Sequence, residues 1–475
     1  MSNAKIFYHD IGDYYSREEK LALIKKYHSL AHPNMQWQQL QPNEHGDWIS
    51  QRNDLFETFI PLGDKENKKA DTFFVPFYSR GLASARDSWC YNSSKTTLEN
   101  NIRTLIEFYN QQRIAYFNTI DKDSKITVEN FIDYDSSKIT WNRGLKNDLE
   151  KNKAIDFNRD YIITGLYRPF NKQKIYFARE LNDMVYQIPK IFPASNSKNY
   201  VICVSGVGAS KDFSVLITNC IPDIQLQFNG QCFPLYYYEK QEKSNPTLFD
   251  AAKEPDYIRR DGVSNFILEQ AQKRYGNRVT KEDIFYYVYG ILHSPDYRTR
   301  FASDLKKMLP RLPLVENVKD FWHFSKAGRE LAELHINYEA VPPAKGVILL
   351  YNNIPTEEIE KGLQSSKMQE INYMVTKMRF PKKDQKDTIH YNNQITITNI
   401  PLKAYDYIVN GKSAIEWIME RYQITTHKES GITNNPNDWA TEVGNPRYIL
   451  DLLLSIINVS LQTVEIVNNL PKLEF

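Results

Sequence analysis

Cysteine is scarce in this sequence. Four thiols, Cys90, Cys203, Cys220 and Cys232, are spread over 475 residues. None are paired at zinc-site spacing, and four are too few to staple a chain of this length. A reducing, cytoplasmic setting is therefore expected. Long apolar runs are missing as well. No stretch of about 18 consecutive apolar residues occurs, so no membrane span is expected. Charge of one sign is not in excess: the formal balance is +2. A nucleic-acid site would then have to be local, because no global basic field exists. No signal peptide is visible. Met1-Ser2-Asn3-Ala4 reads as a cloning remnant, so the natural polypeptide is expected to begin well upstream.

Complete catalytic motifs are also lacking. Gly411-Lys412-Ser413 ends like a phosphate-binding loop, but Asp406 stands where that loop needs glycine. Ser413 as a helix N-cap is the better reading. Ser205-Gly206-Val207-Gly208 lacks the third glycine of a dinucleotide loop, since position 211 is Lys211, and reads as a tight turn. His28 and His32 stand four apart, but no third ligand has motif spacing and Pro33 closes the segment. Pro222-Asp223 is not followed by the Glu-x-Lys of a metal-dependent nuclease. An amino-methyltransferase needs a Gly-rich S-adenosylmethionine loop and an Asn/Asp-Pro-Pro-aromatic tetrapeptide to hold a flipped base. Neither is present: Pro342-Pro343 is flanked by Val341 and Ala344. No catalytic residue, metal ligand or cofactor site is expected in this chain.

What is present is globular. Hydrophobic residues make up 41% and charged residues 25%, enough for real cores in two or three domains. The 31 Tyr and 24 Phe raise aromatic content to 13%; they suit cores and interfaces alike. A short helix is predicted over Ser16 to Lys26. Residues 71–80 read as a strand entering a loop at Gly81. Thr96 and Glu99 suggest a capping box, followed by Leu98, Ile102, Leu105, Ile106 and Tyr109 on one helix face. Residues 161–240 read as mainly β, with strands at Val201 to Val204 and Gln231 to Tyr238. The polar stretch 241–256, with Pro246 and Pro255, reads as a boundary. Beyond it, Thr280 caps one helix and Ser294-Pro295 opens another. Ile395 and Ile397 alternate with Thr396 and Thr398 as in a half-buried strand. Helices near 413–422 and 447–467 close the chain. The expected fold is α/β to α+β, a mixed-sheet N-terminal part followed by a helix-rich C-terminal part. Expected divisions are 5–60, 61–245 and 256–475.

One stretch is locally basic. Residues 138–179 hold ten Lys/Arg against four acids, a local excess of six. Trp141, Phe157, Tyr161, Tyr167, Phe170, Tyr176 and Phe177 interleave. Cations neutralise phosphates, and Arg can fork onto guanine edges, although most such clusters are solvated faces. Smaller basic sets are Arg80, Arg86 and Lys95 around the Gly81 loop, and Arg298, Arg300, Lys306, Lys307 and Arg311.

At these residues the sequence resembles a known family. Gln51-Arg-Asn-Asp-Leu-Phe-Glu-Thr-Phe-Ile-Pro-Leu, Tyr78-Ser-Arg-Gly and Arg86-Asp-Ser-Trp-Cys-Tyr-Asn are similar to the region after the methyltransferase core in Type ISP restriction–modification enzymes. Trp141-Asn-Arg-Gly-Leu-Lys, Tyr167-Arg-Pro-Phe-Asn-Lys-Gln, Gly208-Ala-Ser-Lys-Asp-Phe and Asn435-Pro-Asn-Asp-Trp continue the likeness in order. Tyr289-Gly-Ile-Leu-His-Ser-Pro-Asp-Tyr-Arg resembles a segment shared more widely among large fused DNA methyltransferases. The likeness runs from about residue 5 to the end.

In that family one polypeptide joins a nuclease, a translocase, an adenine-N6 methyltransferase and a target recognition domain, and serves bacterial defence. The resemblance implies that this chain is the target recognition part, with residues 5–60 as a methyltransferase tail or connector. S-adenosylmethionine, ATP and Mg would belong to the longer polypeptide, and the partners would be double-stranded DNA and the upstream methyltransferase and translocase domains. The residues expected to meet DNA are Arg80, Arg86, Lys95, Arg143, Lys146, Arg168, Lys172, Lys174, Lys211, Arg298 and Arg300. Two other readings stay open: a protein-interaction module docking a translocase or second methyltransferase chain through Tyr and Trp anchors, and a methyltransferase with a disguised site.

Overall fold

Apolar spacing at Leu98, Ile102, Leu105, Ile106 and Tyr109 builds the longest helix, Lys95–Ile120, and all five side chains are buried. Its cap differs from the expected Thr96–Glu99 box. Ser94 is the N-cap and accepts from the Thr97 N–H. The Glu442 carboxylate, far along the chain, accepts from the Lys95 N–H at 2.7 Å and the Ser94 hydroxyl at 3.0 Å. A distant anion thus satisfies first-turn donors that a local side chain was expected to serve.

A computed structural model of the chain describes residues 4–12, 15–121, 125–194, 196–241, 257–356 and 371–475. Met1 to Asn3 of the expected cloning remnant, and Pro246 and Pro255 of the expected boundary, lie outside the described residues. Two units separate, Met1–Thr58 and Phe59–Phe475. The first holds an antiparallel ribbon, Ile6–Tyr8 with Gln38–Leu40, and the helix Arg17–Tyr27, closed at its start by a Ser16–Glu19 capping box. That helix stops at Tyr27, and His28 takes a left-handed turn at φ 54°. His28 and His32 therefore do not share a helix face.

The second unit mixes α and β. One four-stranded sheet runs Ile221–Pro222, Ile162–Arg168, Asn171–Tyr176, Tyr91–Asn92; another runs Ser79–Arg80, Gln231–Pro234, Val201–Val204, Val215–Thr218. The predicted strand over 71–80 shrinks to Ser79–Arg80. Phe73 and Phe74 point into the core instead, and their N–H groups bond Pro61 O and Leu62 O. The later half carries the helices Asn265–Tyr275, Lys281–Ile291, Val318–Ile336, Ala414–Arg421 and Tyr448–Asn468. A third four-stranded sheet sits among them: Ile354–Pro355, Ile348–Tyr351, Ile395–Thr398, Ile389–His390. One continuous core joins Leu98 and Ile175 of the earlier half with Ile395, Ile418 and Leu453 of the later half.

Tyr448–Asn468 is long and apolar enough to cross a membrane by length and composition. Asp451 and Ser455 interrupt its apolar run in the sequence. Its apolar window is 67% buried within the protein, as befits a core helix.

Helices Lys281–Ile291 and Val318–Ile336 cross at two glycines. A Cβ on Gly290 would lie 2.1 Å from Phe324 O, and one on Gly328 would lie 1.9 Å from Tyr286 O. Backbone cannot yield as a flexible side chain can. Gly328→Ala is expected to cost about 1–3 kcal/mol, read as a lower urea midpoint with an unchanged m-value.

Candidate nucleic-acid interface

The basic stretch 138–179 folds as the helix Arg143–Glu150 followed by the hairpin Ile162–Arg168 and Asn171–Tyr176. Phe170 supplies the turn's left-handed residue at φ 57°. Acids from outside the stretch then meet its cations. Lys138 pairs with Asp133 at 2.9 Å, Arg159 with Glu99 at 3.1 Å, and Lys146 with Glu129 at 3.6 Å. Lys153 reaches Glu180 at 3.4 Å, and Lys172 pairs with Glu339. Lys174 sits 4.2 Å over the Trp439 ring, where burial lowers its pKa. Exposed pairs of this kind add little to stability, but they cancel the local field. Arg143, Lys151 and Arg179 remain exposed. The sequence excess of six is thus largely neutralised in space, and Phe170 and Tyr176 are buried in the core.

Arg168 is turned inward. Its Nη1 donates to Asp223 Oδ1 at 2.7 Å, its Nη2 lies 3.6 Å from Asp87, and its guanidinium covers the Tyr167 ring at 3.9 Å. Tyr91 donates to Asp223 at 3.0 Å, Tyr167 donates to Asp87 at 2.9 Å, and Ser84 also bonds Asp87. Gly81 makes this packing possible, since a Cβ there would sit 2.6 Å from the Asp223 carbonyl. Burial pushes the Asp223 carboxyl up to about 7, against the pull of Arg168. Below about pH 7 the folded state therefore takes up a proton at Asp223 that the unfolded chain, with its ordinary value near 3.8, has already released. That contribution to stability falls as pH rises from about 4 to about 7. Asp223→Asn is expected to remove this slope, measured as the difference in urea midpoint between variant and parent at pH 4.5 and 7.5.

Arg86 is also interior, at 3% exposure. Its Nη1 donates to Leu181 O at 3.0 Å, while Nε and Nη2 are buried without a partner. Arg80, at the edge strand Ser79–Arg80, is exposed, and Lys95 is half-buried at the start of its helix.

A second group gathers three remote segments. The Gly208 N–H donates to Lys306 O at 2.8 Å, and Lys306 pairs with Asp212 at 2.9 Å. The Lys211 stem lies against Gly411, whose Cβ position is 2.9 Å from Lys211 Cδ. Lys211 and Arg300 are exposed, and Arg298 is part-buried. Gly206 is required by the Asn229 backbone, since a Cβ would meet Asn229 O at 2.4 Å. Ser413 caps the helix Ala414–Arg421 with a Glu416 capping box. Among the described residues no group of three or more His, Cys, Asp or Glu could hold a metal.

Sequence reading missed a further basic segment, 377–386. It contains Lys377, Arg379, Lys382, Lys383 and Lys386 with Asp384 as the sole acid. Lys386 pairs with Glu416 at 3.1 Å, whereas Lys377, Arg379, Lys382 and Lys383 are exposed. Arg379 bridges His390, so the segment loops out from the edge of the third sheet. A local charge count would have found it.

The family model described as the Type ISP C-terminal specificity domain matches residues 73–452. No curated protein matches. Among solved structures, a nuclease-deletion mutant of the Type ISP restriction-modification enzyme LlaGI in complex with a DNA substrate mimic is 36% identical with a TM-score of 0.82, covering 100% of this chain and 40% of that one. The ATP-dependent Type ISP restriction-modification enzyme LlaBIII bound to DNA is 36% identical with a TM-score of 0.80, covering 99% and 28%. A DrdV–DNA complex is 27% identical with a TM-score of 0.77, covering 100% and 44%. The chain spans less than half the length of each.

Proposed function

The chain belongs to the Type ISP C-terminal specificity domain family, and from that premise we propose that it binds double-stranded DNA as the target recognition domain of a larger restriction–modification polypeptide. The observation that carries this reading is the alignment, over 99–100% of its length and at 36% identity, with two enzymes described in complex with DNA or a DNA mimic. Adenine methylation, ATP-driven translocation and cleavage, with S-adenosylmethionine, ATP and Mg, would belong to upstream methyltransferase and translocase domains outside this chain.

The side chains best placed to meet phosphates are the exposed Arg80, Arg143, Lys211 and Arg300, together with Arg379, Lys382 and Lys383. Lys95, Lys146, Lys172 and Lys174 are partly committed to neighbours, and Arg86 and Arg168 shape the loop from within. Phosphate contacts set register, while base-edge contacts and duplex shape set sequence preference. Gel-shift titrations at several salt concentrations test the reading. Binding is expected to weaken linearly on a log–log plot, and Arg143→Ala is expected to flatten the slope by about 0.9 if Arg143 holds one phosphate. Absence of duplex binding even at low salt would overturn it.

A further inference from the structure

The segment Tyr289 to Arg298 ends in a part-buried arginine. Arg298 Nε donates to Leu292 O at 2.6 Å, which fixes the guanidinium plane. Phe213 lies 5.8 Å from it. No carboxylate pairs with Arg298 among the described residues, and its terminal nitrogens make no hydrogen bond there. Arg168, similarly part-buried, has two carboxylates.

A closed polar cluster forms around Tyr289, at the start of the same segment. The Tyr289 hydroxyl accepts from the Ile217 N–H at 3.2 Å, so its proton goes to His335 Nδ1 at 2.6 Å. His335 Nε2 then meets Thr463 Oγ1 at 3.0 Å. His293 Nδ1 donates to Tyr289 O at 2.8 Å. Among the described residues Tyr407 Oη and His293 Nε2 are buried without a hydrogen-bond partner. The Tyr407 ring stacks on His335 with centroids 5.1 Å apart. Burial lowers His335 to about 3 and holds His293 well below the usual imidazole range. Neither ring adds charge, and neither supplies a counter-ion.

We propose that Arg298 forms a binding site for a phosphate-type oxyanion. A part-buried guanidinium without a counter-ion is costly, and the cost is recovered when an external anion takes charge-assisted hydrogen bonds from it. The loop 206–213, which brings Phe213 to Arg298, also carries Lys211 and is anchored to Lys306. Lys211 is exposed on that loop, whereas Lys306 is paired with Asp212. The inference rests on the DNA reading for its natural ligand, a backbone phosphodiester; free inorganic phosphate presents the same oxygens.

The test uses the full chain, Arg298→Met and Arg298→Lys. Thermal unfolding is followed in inorganic phosphate and in chloride at matched ionic strength, because a ligand of the folded state raises Tm by mass action. Phosphate is expected to raise the Tm of the parent, to leave Arg298→Met unmoved, and to act partially on Arg298→Lys. In duplex titrations Arg298→Met is expected to flatten the salt slope by about 0.9. If Arg298→Met does not fold, Arg298→Gln carries the test, with a lost phosphate response expected. A parent-like phosphate response in Arg298→Met, or in Arg298→Gln where that variant stands in, overturns the site. A parent that responds to phosphate through Arg298 yet binds no duplex keeps the site and removes the DNA reading. A parent that binds duplex with no role for Arg298 does the reverse.

Discussion

Arg168→Met is expected to destabilise the protein by about 3–5 kcal/mol, the usual consequence of removing one member of a buried ion pair. Arg168 is 13% exposed and Asp223 only 2% at the side chain. Methionine leaves Asp223 buried among Tyr91, Leu166 and the Gln225 N–H, with no cation, and leaves Asp87 with only Ser84 and Tyr167. The stranded carboxylate then has to take up a proton or open the loop at Gly81. The loss is expected to be larger at pH 8 than at pH 5, because protonation of Asp223 relieves it at the lower pH. The double variant Arg168→Met/Asp223→Asn separates the two costs: it is expected to regain most of the stability, since the neutral pair no longer needs a counter-charge. Urea unfolding of parent, single and double variants at both pH values gives the answer. A stable Arg168→Met protein with selectively weakened duplex binding would instead make Arg168 a direct DNA contact.

That result bears on how much the sequence disclosed. Elements set by neighbours in the chain were legible. Thr280 caps Lys281–Ile291, Ser294-Pro295 starts the next helix, and Ile395–Thr398 alternates buried with half-buried residues. Elements set by distant partners were not. Glu442 replaces the expected local cap of Lys95–Ile120 across 347 positions. The apolar run at 71–80 is mostly not a strand, because Phe73 and Phe74 fill the core from a loop. The same division governs the site. A window count over 138–179 sees ten cations but not Glu99, Asp133 or Glu339, which the fold brings against them. The exposed cations at 377–383 come from a shorter run that the larger window overshadowed.

If the segment 377–386 grips the duplex, the triple variant Arg379→Ala/Lys382→Ala/Lys383→Ala is expected to show the largest change in DNA binding. Each phosphate contact contributes about 0.9 to the log–log salt slope, so three losses flatten it by about 2.7. Between 50 and 200 mM salt the advantage of the parent over the variant then shrinks about 40-fold, because the parent loses counterion-release energy the variant never had. The side chains suit this role physically. They are exposed, and they project from a loop anchored at the sheet edge by the Arg379–His390 bridge. Folding should be little affected, since the buried neighbours Val375, Met378 and Ile389 are untouched. A matching Arg379→Lys/Lys382→Arg/Lys383→Arg variant keeps the charge and is expected to keep the slope, while changing preference between sequences only where Arg379 reads a base edge rather than a phosphate. A slope unaltered by the alanine triple would place the duplex elsewhere, leaving Arg80, Arg143, Lys211 and Arg300 to account for binding.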